Sequence, residues 1–261
     1  MRKKFCLDNP AWRFAKPLAA AMMMLFAITA CRAGDVGNSR TQPAKTPWRS
    51  LFNGEDLDGW QVKCKPADAN ETFWTVRDGA IVCDSMDKGR HDYVWLMTRA
   101  EFGDFELRLK VRGHTPQSKG NSGVQVRSRY DEKAGWLDGP QVDIHPPAPC
   151  RTGLIYDETR GTRRWICPSL KNSGIRREQG PEKFIWHTSG WNDLYIRCEG
   201  TRIVTRLNGL TVADYDGRSV LDDENHRKRN VGLKGHIALQ LHNRDKLRIE
   251  FKDIKIRTLT R

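Results

Sequence analysis

The fold is decided by two neighbouring stretches of sequence, GNSGVQVRSR at residues 120–129 and GPQVDIH at residues 139–145. Apolar and polar side chains alternate along both, which is the pattern of β-strands whose two faces have different surroundings. One predicted face is apolar and holds Val124, Val126, Ser128, Val142 and Ile144. The other, which we call the polar face, holds Gln125, Arg127, Arg129, Gln141, Asp143 and His145. Amide, guanidinium, carboxylate and imidazole groups on one surface exceed what packing requires, so we expect the functional site there.

The rest of the domain has the pattern of further short strands. FELRLKVR at residues 105–112 alternates apolar and charged side chains, and similar runs continue to the last strand, KLRIEFKDIKI. Asp78-Gly79 and Asn208-Gly209 are turn dipeptides between apolar runs. In the last strand an extra residue at Lys252-Asp253 separates two apolar sets, which predicts a β-bulge. The sequence therefore predicts an all-β jelly-roll sandwich of two antiparallel sheets.

Further candidates for the site lie outside the first two stretches. In GHIALQLH the apolar side chains point one way, which places Gln240 and His242 on the polar side of their strand. Trp136 and Trp165 are predicted in loops, where an indole ring stacks on the face of a sugar. Two acidic residues follow an apolar run and are predicted either to line the rim of the site or to cap a hairpin: Asp157 and Glu158.

The N-terminus has the pattern of an export signal. A basic segment precedes an apolar run at residues 18–30 that is shorter than the roughly 20 residues a membrane-spanning helix needs. The junction Ile-Thr-Ala-Cys is typical of a lipoprotein, in which Cys31 is lipidated; cleavage as an ordinary signal peptide is the alternative. We therefore predict a lipoprotein signal peptide at 1–30, a flexible tether at 31–47 and the folded domain at 48–261. Such a domain is anchored to a bacterial membrane through lipid, in the periplasm or at the cell surface.

Charge and cysteine content limit the partners. The formal net charge is +13, but no aromatic-basic recognition motif accompanies it and an exported protein rarely meets nucleic acid, so we expect no nucleic-acid partner. Five cysteines follow the tether, an odd number in an oxidising compartment. Cys64 with Cys83 and Cys150 with Cys167 are the first pairings to test, because each closes a modest loop. Cys198 lies in an apolar alternation and is predicted to be a buried thiol.

Eight ordered motifs resemble those of the 3-keto-disaccharide hydrolase domain family. They span residues 48–257 and read LFNGEDLDGW, WTVRDG, FGDFELRLKVR, GNSGVQVRSR, GPQVDI, GLIYDE, WNDLYIRCEG and GHIALQLH. The resemblance implies a concanavalin A-like jelly roll, in agreement with the strand pattern. Members often carry Glu at the position of Gln141 and Gln at that of Asp143, whereas another branch has the Gln-x-Asp order of this chain. The resemblance also implies cleavage of glycosides that a partner sugar 3-dehydrogenase has already oxidised at C3.

The chemistry implied by this resemblance assigns roles to the candidates. A ketone at C3 acidifies the hydrogen at C2, so a base removes it, the aglycone leaves C1 and water adds to the resulting enone. The reaction needs a base, a group that holds the enolate oxygen and an acid for the leaving group. Asp143 is the candidate base, His145 and His242 are candidate acids, and Arg127 is the candidate for the enolate oxygen. The remaining candidates bind substrate: Gln141, Gln125, Arg129, Gln240, Trp136, Trp165, Asp157 and Glu158.

Cofactor use is left open by the sequence. The supply of His, Asp and Glu side chains permits a divalent metal with Asp143 and His145 as ligands, although no ligand spacing requires one. No other cofactor is expected.

Two other functions fit the same fold. In a non-catalytic carbohydrate-binding module, Trp, Gln and Arg side chains hold a glycan and Asp143 does no chemistry. In a retaining glycoside hydrolase, two carboxyl groups about 5 Å apart flank the scissile bond. The predicted neighbours of Asp143 on the polar face are Gln141 and His145 rather than carboxylates, which disfavours that hydrolase.

Overall fold

The computed structural model describes residues 46–113, 120–170 and 175–259. Its regular structure is almost entirely β-strand, in two antiparallel sheets, so the predicted all-β sandwich is confirmed. One helix, α1 (Glu224–Arg229), and short 3-10 turns at Pro66–Asp68, Pro149–Arg151 and Arg177–Gln179 connect strands. No helix in these ranges is long and apolar enough to cross a membrane. The predicted signal peptide, Cys31 and most of the predicted tether lie outside the described residues.

Sheet A has eight strands. They are β1 (Arg49–Ser50), β3 (Trp74–Arg77), β4 (Ala80–Asp84), β6 (Phe105–Gly113), β13 (Asn192–Glu199), β14 (Arg202–Leu207), β15 (Leu210–Asp216) and β17 (Arg248–Thr258). The strand order is β15-β14-β13-β6-β17-β4-β3, and β1 pairs with β17. Arg49 of β1 lies opposite Ile256 of β17, so the first and last described strands are neighbours.

Sheet B has nine strands. They are β2 (Trp60–Cys64), β5 (Val94–Thr98), β7 (Ser122–Asp131), β8 (Trp136–Asp138), β9 (Pro140–Ile144), β10 (Ile155–Asp157), β11 (Arg164–Cys167), β12 (Ser169–Leu170) and β16 (His236–Leu241). The order is β12-β11-β10-β9-β7-β16-β5-β2, and β8 pairs with β7. The two stretches that predicted the fold are therefore adjacent strands, β7 and β9, near the middle of this sheet.

The core is a single buried cluster fed by the apolar faces of both sheets. In β6 the predicted apolar residues, from Phe105 to Val111, are at most 2% exposed, while the alternate charged residue Arg108 is exposed. Val124 and Val142 of sheet B belong to the same cluster and are fully buried. Alternation with period two therefore places one side of each strand in the core and leaves the other side to form an outer face.

The predicted turns and the predicted bulge are confirmed. Asp78-Gly79 and Asn208-Gly209 form two-residue hairpin turns, with φ of 51° and 72° in the first and 48° and 82° in the second. All four angles are positive, which suits the twist of the flanking strands and favours Asn, Asp and Gly. In β17 the register against β6 shifts between Lys252 and Lys255, and Asp253 has φ of 52°.

A second bulge, in β7, was not predicted. Ser128 pairs with His236 of β16, but Gln125 pairs with Ala238. Strand β7 therefore has one residue more than β16 between these pairs, and Arg127 in this interval has φ of 52°. A bulge of this kind changes the direction of the side chains that follow it. The alternation predicted from the sequence therefore fails from Arg127 onwards.

The predicted cysteine pairings are wrong. Cys64, Cys83, Cys150 and Cys198 carry free thiols, which leaves neither Cys64 with Cys83 nor Cys150 with Cys167 as a disulfide. Loop length suggested the pairs, but Cys64 lies in sheet B and Cys83 in sheet A. Cys198 is fully buried, as predicted, and burial raises the pKa of its thiol to about 11.

Candidate functional site

The outer face of sheet B carries a row of residues across four strands. Asp143 of β9 pairs with Gly123 of β7, Gly123 with Gln240 of β16, and Gln240 with Trp95 of β5. A Cβ atom on Gly123 would lie 2.4 Å from Cδ of Gln141. The side chain of Gln141 therefore occupies the space that glycine leaves open, beside the Asp143 carboxylate.

Asp143 is a buried carboxylate with few partners. It is 1% exposed. Nδ2 of Asn121 donates to its Oδ1 at 3.0 Å, and Nε of Arg151 lies 3.3 Å from its Oδ2 without forming a hydrogen bond. Burial raises the pKa of Asp143 to about 6, against the opposing effects of Arg151, Asn121 and His242. A carboxylate with this pKa is ionised at neutral pH and is a stronger base than an exposed aspartate.

Glu158 brings a second carboxyl group to the same face. It follows β10, where its backbone N–H donates to the carbonyl of Gly139 at 3.0 Å, and it is 5% exposed. Burial raises the pKa of Glu158 to about 7, while Arg163 and His242 lower it. His242 thus lies close enough to act on both Glu158 and Asp143. The expectation that Asp143 has no carboxyl partner is wrong, because β10 pairs alongside β9 and carries Glu158 to the site.

Several buried polar atoms of this face have no hydrogen-bond partner. A buried donor or acceptor left in this state costs about 1–3 kcal/mol. A bound molecule with many hydroxyl groups would supply the missing partners. Among the described residues, the atoms are Oδ1 of Asn121, Oε1 of Gln125, Oε1 of Gln141, Oε1 and Nε2 of Gln240, Oε2 of Glu158 and Nε1 of Trp95.

Aromatic rings border these polar groups. Tyr93 stacks on Trp95 with ring centroids 5.5 Å apart, and it meets Trp136 edge to face at 4.8 Å. Nε1 of Trp136 donates to the carbonyl oxygen of Glu158 at 2.9 Å. The guanidinium of Arg163 lies 4.4 Å from the Trp136 ring. Trp136, predicted in a loop, is thus part of a short strand that borders the site.

His145 lies at the end of β9, next to the polar face. The backbone N–H of Ala148 donates to its Nδ1 at 3.1 Å. Burial, aided by the positive charge of Arg151, lowers the pKa of His145 to about 4. The imidazole is therefore neutral at physiological pH, which does not suit the predicted role of a proton donor.

Arg127 and Arg129 do not belong to the site. The Arg127 guanidinium is fully buried, donates to the carbonyls of Gly103, Gly200 and Gly232, and pairs with Asp104 at 2.9 Å. The bulge in β7 turns it away from the face that strict alternation predicts. Beyond the bulge, Arg129 pairs with Glu101 at 2.7 Å.

Trp165 and Asp157 are buried structural residues. Trp165 lies in β11 rather than in a loop and is 2% exposed. Asp157 is fully buried, and its Oδ1 lies 3.3 Å from Nε2 of His226 and accepts the Thr159 N–H at 3.0 Å. Burial works against ionisation of Asp157, but the bonds to His226, Thr159 and Thr162 keep its pKa below the ordinary value. Neither residue has a free surface on which to bind substrate.

The site shows no metal cluster in the described ranges. There, no three His, Cys, Asp or Glu side chains are placed to hold a metal ion together. The pair proposed from the sequence, Asp143 and His145, is therefore not joined by a third ligand from the described residues.

The outer face of sheet A has a different character. It has a groove of about 960 Å³, lined largely by charged residues. These charges satisfy one another: Glu106 accepts from Tyr195 at 2.9 Å and from Arg197 at 2.8 Å, and Arg202 pairs with Asp214 at 2.6 Å. Because this face lacks the unpartnered buried groups of the polar face, we place the functional site on sheet B.

Comparison with known families now places the chain. The model of the 3-keto-alpha-glucoside-1,2-lyase-like domain matches residues 47–257. The chain belongs to this family. A search of curated proteins found no match.

Solved structures with the fold of this lyase-like domain come from several bacteria. A proposed glycosyl hydrolase from Parabacteroides distasonis is 18% identical with a TM-score of 0.52, covering 82% of this chain and 94% of the other. A Bacillus subtilis protein of unknown function with a galectin-like fold is 11% identical with a TM-score of 0.50, covering 84% and 97%. The carbohydrate-binding module CBM66 of B. subtilis is 18% identical with a TM-score of 0.49, covering 77% and 96%. At these identities the likeness establishes the fold alone.

Four residues of the lyase-like domain's site escaped sequence reasoning. Tyr93 lies just before strand β5, in the segment HDYVWLMT, where both faces are rich in large apolar side chains, so alternation gave no signal. Asn121 precedes β7, and Arg151 and Arg163 lie in connections, where period two does not apply. A long-range contact brings each to the site, and no local pattern reports such a contact.

Proposed function

We propose that this protein cleaves 3-keto-glycosides by removing the C2 proton, expelling the aglycone from C1 and hydrating the product. Membership of the lyase-like family supports a carbohydrate-related function. The C3 ketone that this chemistry requires would come from an enzyme that oxidises the intact glycoside.

The observation that carries the proposal is the state of Asp143. Its Oδ2 has no hydrogen bond, and burial raises the pKa of the carboxyl to about 6. Such a base is matched to a weakly acidic C–H next to a ketone, for which proton transfer is most efficient near the working pH. An ordinary acetal has no such acidic hydrogen, so the ketone is what makes a carboxylate sufficient.

Neighbouring groups supply the other roles. The guanidinium of Arg151, beside Asp143, is the cation nearest to the proposed enolate and takes the role expected of Arg127. The unpartnered amides of Gln141 and Gln240 are available to sugar hydroxyls. His242 acts on both carboxyl groups and so belongs to the same constellation.

Asp143→Asn tests the proposal, because it keeps the shape of the side chain and removes the base. We expect kcat for a 3-keto-disaccharide to fall by at least about 100-fold, the lower end of what a positioned base contributes. Deuterium exchange at C2 in heavy water should fall in parallel. Thermal stability at neutral pH should be equal or higher, because the raised pKa means that ionised Asp143 opposes folding.

The matched control is Asp214→Asn, which removes an aspartate from the outer face of sheet A. It should leave the rate unchanged. Near-full activity of Asp143→Asn, or equal cleavage of the unoxidised glycoside by the natural protein, would show that the proposed mechanism is wrong.

A carbohydrate-binding module is the second candidate function. The unpartnered amide atoms of Gln125, Gln141 and Gln240 favour it as well, since they suit binding of hydroxyl groups without chemistry. In that case the natural protein would bind the glycan, turn over neither sugar and exchange no deuterium at C2, and Asp143→Asn would alter affinity alone.

A further inference from the structure

Tyr93 occupies the centre of the polar face, although the sequence gave no reason to select it. Its hydroxyl lies 3.0 Å from Nε2 of His242. Its ring stacks on Trp95 and meets the rings of Trp136 and His242 edge to face, both at 4.8 Å. The ring is therefore held in one orientation by three neighbours, and its hydroxyl is directed at His242.

His242 is in turn held by an acidic residue. Its Nδ1 lies 3.2 Å from Oδ2 of Asp245, and that oxygen also accepts the backbone N–H of Asn121 at 2.7 Å. Asp245 thereby fixes which nitrogen of His242 faces Tyr93. The His242 side chain is 33% exposed, so it can exchange protons with solvent. Asp245, His242 and Tyr93 form a continuous line from the surface to the polar face.

Tyr93 cannot readily become a phenolate. Burial raises its pKa well above the ordinary value, and the nearby charge of Glu158 raises it further. A phenol in this environment can give up its proton only when it receives another in the same step. His242, at hydrogen-bond distance, is the group that can supply it.

We propose that Tyr93 is the acid that protonates the departing aglycone oxygen, with its proton replaced by His242. The inference rests on the proposed function and deepens it by separating the acid from the base, Asp143. As Asp143 takes the C2 proton, the electrons of the C2–H bond form the C1–C2 double bond and those of the C1–O bond pass to the leaving oxygen. That oxygen takes the Tyr93 proton while the Tyr93 oxygen takes the Nε2 proton of imidazolium. Neutral His242 then regains a proton from solvent.

The other acidic group of the face is less suited to this role. Glu158 is enclosed, its Oε2 has no hydrogen-bond partner, and Arg163 approaches it only to 3.8 Å. In the described residues it has no hydrogen-bonded route to solvent comparable to that of Tyr93. Its contribution is electrostatic: its negative charge keeps the Tyr93 phenol protonated and favours a positive His242.

Tyr93→Phe, compared on two substrates, tests the proposal. A sugar leaving group needs a proton, whereas nitrophenolate leaves without one. We therefore expect kcat for a 3-keto-disaccharide to fall at least about 100-fold, while a nitrophenyl 3-keto-glucoside is cleaved at nearly the natural rate. His242→Gln should show the same selectivity to a smaller degree. Equal losses on both substrates, or no loss on either, would overturn the assignment.

Exchange at C2 separates this test from that of the proposed function. Tyr93→Phe should still exchange the C2 proton of the 3-keto-disaccharide in heavy water, which also shows that the variant is folded. If the natural protein neither exchanges nor cleaves, the proposed function itself fails. Tyr130→Phe is the matched control: Tyr130 packs on Trp95 but donates its hydroxyl to the carbonyl of Cys64 at 2.8 Å, outside the relay, so both rates should stay natural.

Discussion

At the scale of single residues, the site depends on a balance around Asp143. Removal from water favours the neutral acid, while the positive charge of Arg151 and the hydrogen bond from Asn121 favour the carboxylate. The result is a pKa of about 6, which leaves the base ionised at neutral pH without making it weak. Arg151 is thus the residue that sets the lower pH limit of activity.

This balance predicts the pH profile. Activity requires ionised Asp143, so kcat/KM should rise with pH and level off above about 6. Arg151→Met keeps the aliphatic stem and removes a charge that lowers the pKa of Asp143, so the rise should move to higher pH. The check is kcat/KM for a 3-keto-glycoside across pH. Arg202→Met, on sheet A, is the control and should leave the profile in place; an unmoved profile in Arg151→Met would contradict the assignment.

At the scale of elements, the bulge in β7 decides which arginine serves the site. Without it, Arg127 would lie beside Gln125 on the polar face. With it, Arg127 is buried at one end of the sandwich, where it joins the segments before β6, after β13 and before β16. A charge in this position is tolerated because carbonyl oxygens and Asp104 satisfy the guanidinium.

Arg127→Gln should therefore destabilise the fold without changing the chemistry. Removing one partner of a buried, hydrogen-bonded ion pair costs about 3–5 kcal/mol. We expect urea unfolding to show a loss of that order, with kcat almost natural under conditions where the variant is folded. Arg129→Gln, whose partner Glu101 is partly exposed, should lose much less. A stable Arg127→Gln with low kcat would return Arg127 to the site.

The same element shows how far the sequence can predict the structure. Alternation gave the right faces for Val124, Gln141 and Asp143, because burial on one side of a strand selects apolar residues at every second position. It failed at Arg127, because a bulge inserts one residue and leaves no mark on composition. It could not reveal Tyr93 or the proximity of Glu158, which depend on which strands become neighbours.

At the scale of the whole molecule, the two outer faces divide the polar residues by purpose. On sheet A, carboxylates such as Glu106 are paired with arginines. On sheet B, Asp143 and Glu158 are buried with an oxygen left unpaired. Both faces look equally charged in sequence, and only the pairing, a property of the folded chain, distinguishes them.

Location in the cell stays a prediction at this scale. We propose that Cys31 becomes the lipidated N-terminus and tethers the domain to a membrane outside the cytoplasm, where two acyl chains give stable anchoring. Labelling of the full-length protein with a fatty-acid analogue should be lost in Cys31→Ala and kept in Cys6→Ala. Persistent label in Cys31→Ala would favour an ordinary signal peptide.

The pairing of β1 with β17 has a consequence for how the domain can be combined with others. The family match runs from residue 47 to residue 257, and Arg49 lies directly opposite Ile256 in sheet A. Entry and exit are thus adjacent, on the sheet opposite the catalytic candidates. The domain has the geometry of a plug-in unit: it can be spliced into a surface loop of a host chain, or joined to a neighbour at either terminus, and the substrate face stays open.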